Sequence, residues 1–113
     1  MTSAQPGILA PIPAFGRYLL FTARPQTNPL TALARLTQLA DGNSLVVGLG
    51  HSLLNSLGKT IPGLRVFPDF SMPDLAIPTT PAGLCCWLRS DERGALVHLS
   101  RRIEHALEPA FEL

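Results

Sequence analysis

The sequence predicts an α+β domain in which two helices cover one face of an antiparallel-rich sheet. Three observations carry this expectation. Residues 17–24, 44–49 and 84–89 are short apolar runs of strand length. Two longer segments carry apolar residues at helical spacing, one between the first two runs and one after the third. The chain has 113 residues, 46% hydrophobic and 15% charged, which suits one domain with one modest core.

Residues 1–16 are punctuated by Pro6, Pro11, Pro13 and Gly16 and read as extended. In RYLLFTAR (residues 17–24), Leu19, Phe21 and Ala23 share one side and Tyr18, Leu20 and Thr22 the other. Both sides are largely apolar, so this strand is expected in the middle of its sheet. The first helix has Asn28 as N-cap and Pro29 in the first turn. Its stripe is Leu30, Leu33, Leu36 and Ala40, and Gly42 is the stop. The second strand, SLVVGL, runs into GLGHSLLNSLG (residues 48–58). There the glycines let the chain turn sharply, and Leu53, Leu54 and Leu57 pack a short helix on the sheet.

Five prolines (Pro62, Pro68, Pro73, Pro78 and Pro81) forbid a continuous helix over residues 58–81. Ile61, Leu64, Val66, Phe67, Phe70, Leu75 and Ile77 predict a packed loop lying over the sheet. LCCWLR (residues 84–89) is the third strand. The second long helix is capped by Ser90, with Asp91 and Glu92 near its positive end. Leu96, Leu99, Ile103 and Leu107 form its buried stripe; Arg101, Arg102, Glu104, His105 and Glu108 form its wet face; Pro109 ends it. The order is that of a ferredoxin-like split β-α-β domain, residues 1–113, apparently lacking its last strand. Such a strand lies beside the first, so the first strand is expected to expose an edge along residues 18–23.

Composition narrows the function. The net charge is +1, and the one adjacent basic pair, Arg101-Arg102, is followed by Glu104, so no nucleic-acid partner is expected. No apolar run approaches the ~18 residues of a membrane span, and the start lacks the basic region of a signal peptide. Cys85 and Cys86 are neighbours, a poor arrangement for a disulfide. They read as thiols of a cytoplasmic protein.

The chemical candidates are weak. Gly48 and Gly50 begin a dinucleotide-like pattern, but Leu53 stands where its third glycine belongs, and the acidic residue further on is Asp69 in the proline-rich segment. Gly58-Lys59-Thr60 has the letters of a phosphate loop, but Ile61-Pro62-Gly63 breaks the helix that should follow. Ser52 in GHSLL lacks the second glycine of a nucleophile elbow. His51, His98 and His105 form no metal-ligand spacing. Asp69, Asp74, Asp91 and Glu92 make no convincing carboxylate pair for acid–base work. No catalytic, cofactor-binding or metal residue is therefore assigned.

Three long stretches resemble one family. QPGILAPIPAFGRYLLF (residues 5–21), VVGLGHSLLNSLGKTIPGLRVFP (residues 46–68) and IPTTPAGLCCWLRSDERGALVH (residues 77–98) are similar to the amino-terminal half of DyP-type (dye-decolorising) haem peroxidases of the bacterial, B-like type. The resemblance implies two ferredoxin-like domains, with haem held mainly by the second. It implies a distal Asp in Gly-x-x-Asp-Gly, a distal Arg and a proximal His. No Gly-x-x-Asp-Gly occurs in this sequence, and none of its histidines matches the ligand's place.

The resemblance thus implies the N-terminal scaffold portion of an enzyme that oxidises dyes and other reductants with hydrogen peroxide. Haem is expected in full-length relatives and not in this chain alone. The expected partner is the missing C-terminal half or another copy of the chain, joined through the first-strand edge. The alternative is a non-catalytic ferredoxin-like interaction domain pairing through that same edge.

Overall fold

A computed structural model describes residues 4–65, 70–77 and 82–113. The elements are α1 (Pro6–Leu9), β1 (Phe15–Ala23), α2 (Pro29–Thr37), β2 (Leu45–Leu49), α3 (His51–Ser56), β3 (Phe70–Met72), β4 (Leu75–Ile77), β5 (Leu84–Ser90), α4 (Arg93–Leu107) and β6 (Phe111–Glu112). The main sheet has the order β2-β5-β1-β6, and every pair is antiparallel. This is the split β-α-β arrangement, with β5 between β2 and β1.

The last strand needs a correction: it begins within the chain. Thr22 faces Glu112 and Ala23 faces Phe111, so two residues of a fourth strand lie beside β1. Pro109 ends α4 as expected, and a tight hook brings the chain back. The Ala110 N–H donates to the Leu107 carbonyl, and the Arg24 N–H to the Ala110 carbonyl at 2.7 Å. The Arg24 Nε donates to the carbonyls of Glu108 and Phe111 at 3.1 and 3.3 Å. A strand this short leaves too little alternation to be read from sequence.

Side-chain alternation along β1 and β5 sorts the sheet into two faces. Leu19, Phe21, Leu84, Cys86 and Leu88 point into the core. Ala32 and Leu36 from α2, and Leu96, Ile103 and Leu107 from α4, close that core. Both long helices therefore lie on one face, packed on each other. Phe111, 1% exposed, plugs the core beside the hook. The Asn28 side chain accepts from the Leu30 N–H at 3.0 Å and caps α2.

Four further expectations are revised. Leu30 is 58% exposed and Ala32 takes its place in the core. Ala32 and Leu36 are one turn apart, and Leu30 lies ~200° around the helix from Ala32. Residues 6–9 form the short helix α1 rather than extended chain, because Pro6 suits a first helical turn. β5 runs on through Ser90, so α4 starts only at Arg93, with Glu92 as N-cap and no side-chain cap. Ser90 instead accepts the Glu92 N–H through its hydroxyl at 3.0 Å.

The expected packed loop holds the hairpin β3–β4, and Ile61 and Leu75 are 55% and 54% exposed. Pro73 sits in its two-residue turn, between strands of three residues each. Val66 and Phe67 lie outside the described residues.

Two side chains tie the β2 end together. The Gln5 amide donates to the Val47 carbonyl at 2.8 Å and accepts the Val47 N–H at 3.0 Å, as a neighbouring strand would. Asp41 accepts the N–H groups of Asn43 and Leu45 at 2.8 and 3.0 Å and shapes the turn into β2. Burial opposes ionisation of Asp41. The hydrogen bonds from the Leu45 and Asn43 N–H groups, with those from Ser44, outweigh it and hold the carboxyl below its usual range.

Ile103→Asp should leave the chain unfolded, since a carboxylate would replace a fully buried side chain at a cost of several kcal/mol, about the stability of a small domain. Arg102→Ala, on the wet face, should melt like the parent; circular dichroism melts check both. Asp41→Ala should cost about 1 kcal/mol at pH 7. A lowered folded pKa means this contribution is present above about pH 4 and is lost as pH falls through the folded value. The gap between parent and variant in chemical denaturation should therefore narrow on acidification.

Candidate functional site

The glycine corner is a packing device. Gly50 donates its N–H to the Gly83 carbonyl at 2.8 Å. A Cβ there would run into the Ala82 carbonyl oxygen. Close passage of two backbones explains this glycine without any ligand. Leu53 and Leu54 of α3 are buried beneath the corner. The exposed Ser52 lies in the first turn of a six-residue helix.

The structure does not bring the three histidines together. His51 is half-buried at the start of α3, while His98 and His105 are exposed on α4. Among the described residues no group of three or more His, Cys, Asp or Glu side chains could hold a metal ion. Asp74 lies in the β3–β4 turn, and Asp69 is outside the described residues. Asp91 accepts the Ala14 N–H at 3.1 Å.

The two thiols occupy opposite faces of β5 and are not joined. Cys86 is in the core, and burial, with Cys85 adding to it, pushes its pKa up to about 12. Cys85 is half-buried on the outer face, and burial raises its pKa as well. Neither has the lowered pKa of a nucleophilic cysteine.

The outer face is where the fold leaves surface unused. Tyr18 faces Trp87 and Leu20 faces Cys85 across the β1–β5 pair. Tyr18 and Leu20 are 64% and 53% exposed. The Tyr18 and Trp87 rings stack with centroids 5.7 Å apart, and the Arg89 guanidinium lies 5.0 Å from the Trp87 ring centre. α1 covers the opposite end of this face: a Cβ on Gly7 would meet the Val46 side chain at 2.7 Å. Arg89, read from sequence as the end of a strand, is 7% exposed. Period-two patterning cannot foretell a buried arginine at a strand end.

A haem would need an axial ligand at the wall of an apolar slot. The apolar cleft of about 300 Å³ between α2 and β2 is lined by Leu33, Leu36, Ala40, Val47 and Leu49, with Gln5 and Thr37, and offers no ligand side chain. His105 lines two clefts, one between α4 and α2 and one between α4 and the chain's last residues.

Gly50→Ala should destabilise the chain by on the order of 2–3 kcal/mol, whereas His51→Ala should cost far less; denaturant melts distinguish them. Iodoacetamide at pH 8, followed by mass spectrometry, should leave Cys86 unmodified in the folded chain and label it after unfolding.

No family model matches the sequence, and no curated protein matches it by sequence. Solved structures do match. A DyP-type peroxidase from Mycobacterium smegmatis, described as encapsulated, superposes with a TM-score of 0.79 at 20% identity, over 96% of this chain and 39% of its own. A putative DyP-type peroxidase from Shewanella oneidensis gives 0.75 at 25% identity, over 100% and 41%. A Rhodococcus jostii DypB variant in complex with haem gives 0.74 at 22% identity, over 93% and 39%. The chain spans about two fifths of the length of these proteins. Its described residues have the α+β, ferredoxin-like fold of that part of a DyP-type peroxidase.

Proposed function

We propose that this chain is the N-terminal scaffold portion of a DyP-type haem peroxidase, a cytoplasmic protein whose catalytic haem site belongs to the remainder of the enzyme. The observation that carries the reading is the coverage: the chain is matched over 93–100% of its length, and each peroxidase over only 39–41% of its own. In this reading the chain's own contribution is mechanical. The β1–β5 pair presents Tyr18, Leu20 and Trp87 on a rigid sheet, and the remaining half of the enzyme packs against that face. When bound there, haem would supply the peroxide chemistry; no residue of this chain is assigned a proton-transfer or ligand role.

A second reading, a non-catalytic interaction domain, is favoured by one observation. Over residues 15–21, β1 pairs with β5 on one side only, because β6 reaches just Thr22 and Ala23. An open apolar edge of this kind recruits a strand from another chain.

With haemin, hydrogen peroxide and a reducing dye, the purified chain should turn over no faster than free haemin at equal concentration. Activity well above free haemin that disappears on replacing His51, His98 or His105 would overturn the scaffold reading. Light scattering at high micromolar concentration should show association of the parent chain, reduced in Leu20→Lys. A stable parent monomer would remove the support for edge pairing.

A further inference from the structure

Arg89 carries the chain's most unusual electrostatics. It is 7% exposed, yet the polar partners of its guanidinium are all neutral. Nη2 donates to the Pro11 carbonyl at 2.6 Å, and Nη1 donates to the carbonyl and the Oδ1 of Asn43, both at 3.3 Å. A guanidinium has five N–H groups. Two are left over, one on Nε and one on Nη2. Nε is shielded from solvent and finds no acceptor among the described residues. The one ion pair among the described residues joins Arg24 to Glu112 and does not involve Arg89. A charge removed from water without a countercharge is expensive, and the Trp87 face offsets only part of that.

Arg89 borders a cleft. About 420 Å³ of space is lined by Arg89 together with Pro11, Asn43, Ser44, Ser90 and Asp91. That is room for a small molecule. The amide of Asn43 adds an uncharged donor to its wall, while the Ser44 side chain is engaged with Asp41. Asp91 is the dissenting group. Its carboxylate lines the same cleft and would repel an anion, but it lies beyond ion-pair distance of Arg89 and accepts the Ala14 N–H instead.

We propose that this cleft is an oxyanion site, in which the Nε and Nη2 edge of Arg89 grips a carboxylate or phosphate group through two parallel N–H bonds. That edge is the fork with which arginine holds planar oxyanions side-on. Pro11 is exposed and lies outside any helix or strand. An entering anion takes the unused N–H of Nη2, opens the wall at Pro11 and reaches Nε. No bond is made or broken in the process. The site lies within this chain and holds whether or not the peroxidase reading does.

The test is NMR on the ¹⁵N-labelled full chain, following the Arg89 side-chain Nε–H and the backbone N–H groups of Asn43 and Ser90. Inorganic phosphate and acetate are titrated separately against sodium chloride at matched ionic strength. The expected result is a saturable shift of these resonances with at least one oxyanion and not with chloride. The arm that saturates at lower concentration tells phosphate from carboxylate. Asp91→Asn should tighten the apparent Kd, on the order of threefold, by removing one screened like charge. Arg89→Lys, if it folds, should abolish the saturable shift. Shifts that follow ionic strength alone would overturn the proposal. So would an Asp91→Asn variant that binds no more tightly and melts well below the parent, since Asp91 would then be the countercharge of Arg89.

Discussion

The pairing of β1 with β5 is the constraint on which the rest of the structure depends. Seven residues of each strand are in register, from Phe15 with Ser90 to Phe21 with Leu84. Because side chains alternate, that single register decides both faces at once. It sends Leu19, Phe21, Cys86 and Leu88 under the helices, and Tyr18, Leu20, Cys85 and Trp87 to the other side. A slip of one residue would exchange the two sets and put Arg89 in the core. The β2 strand is docked on β5, and the strand after the Pro109 hook on β1.

Much of the fold was legible because its main signals are local. Asn28-Pro29 marks a helix start through chemistry confined to one turn, and the cap is there. The Leu96, Ile103 and Leu107 stripe was legible for the same reason: its period is fixed by the helix itself. The misses fall where distant chain decides. Ala32 displaces Leu30 because the sheet chooses which side of α2 it covers. Phe111–Glu112 becomes a strand because Arg24, 87 residues earlier than Phe111, holds its carbonyl. Ile61 stays exposed because apolar character alone does not supply a partner surface.

The site was less legible than the fold, for a related reason. Motif reading looks for residues close in sequence, and here those motifs describe corners and caps. Gly50 is explained by the Ala82 carbonyl against it, and Gly58 by its positive φ after α3. The group with unused bonding capacity is Arg89, whose partners Pro11 and Asn43 are 78 and 46 residues away. No spacing rule connects those three positions. A buried charge is visible only once the chain around it is folded.

The Gln5 amide on Val47 has a consequence for how copies of this fold can assemble. It occupies one backbone position on the outer edge of β2 with the two bonds a neighbouring strand would have made. Among the described residues, the opposite edge of the sheet, along β1, carries no such plug over residues 15–21. The sheet therefore has a polarity, with one blocked end and one open end. Growth by repeated head-to-tail addition needs two open ends and stalls at once. Two copies that paired through that open end would form a closed pair with two-fold symmetry and nothing left to extend.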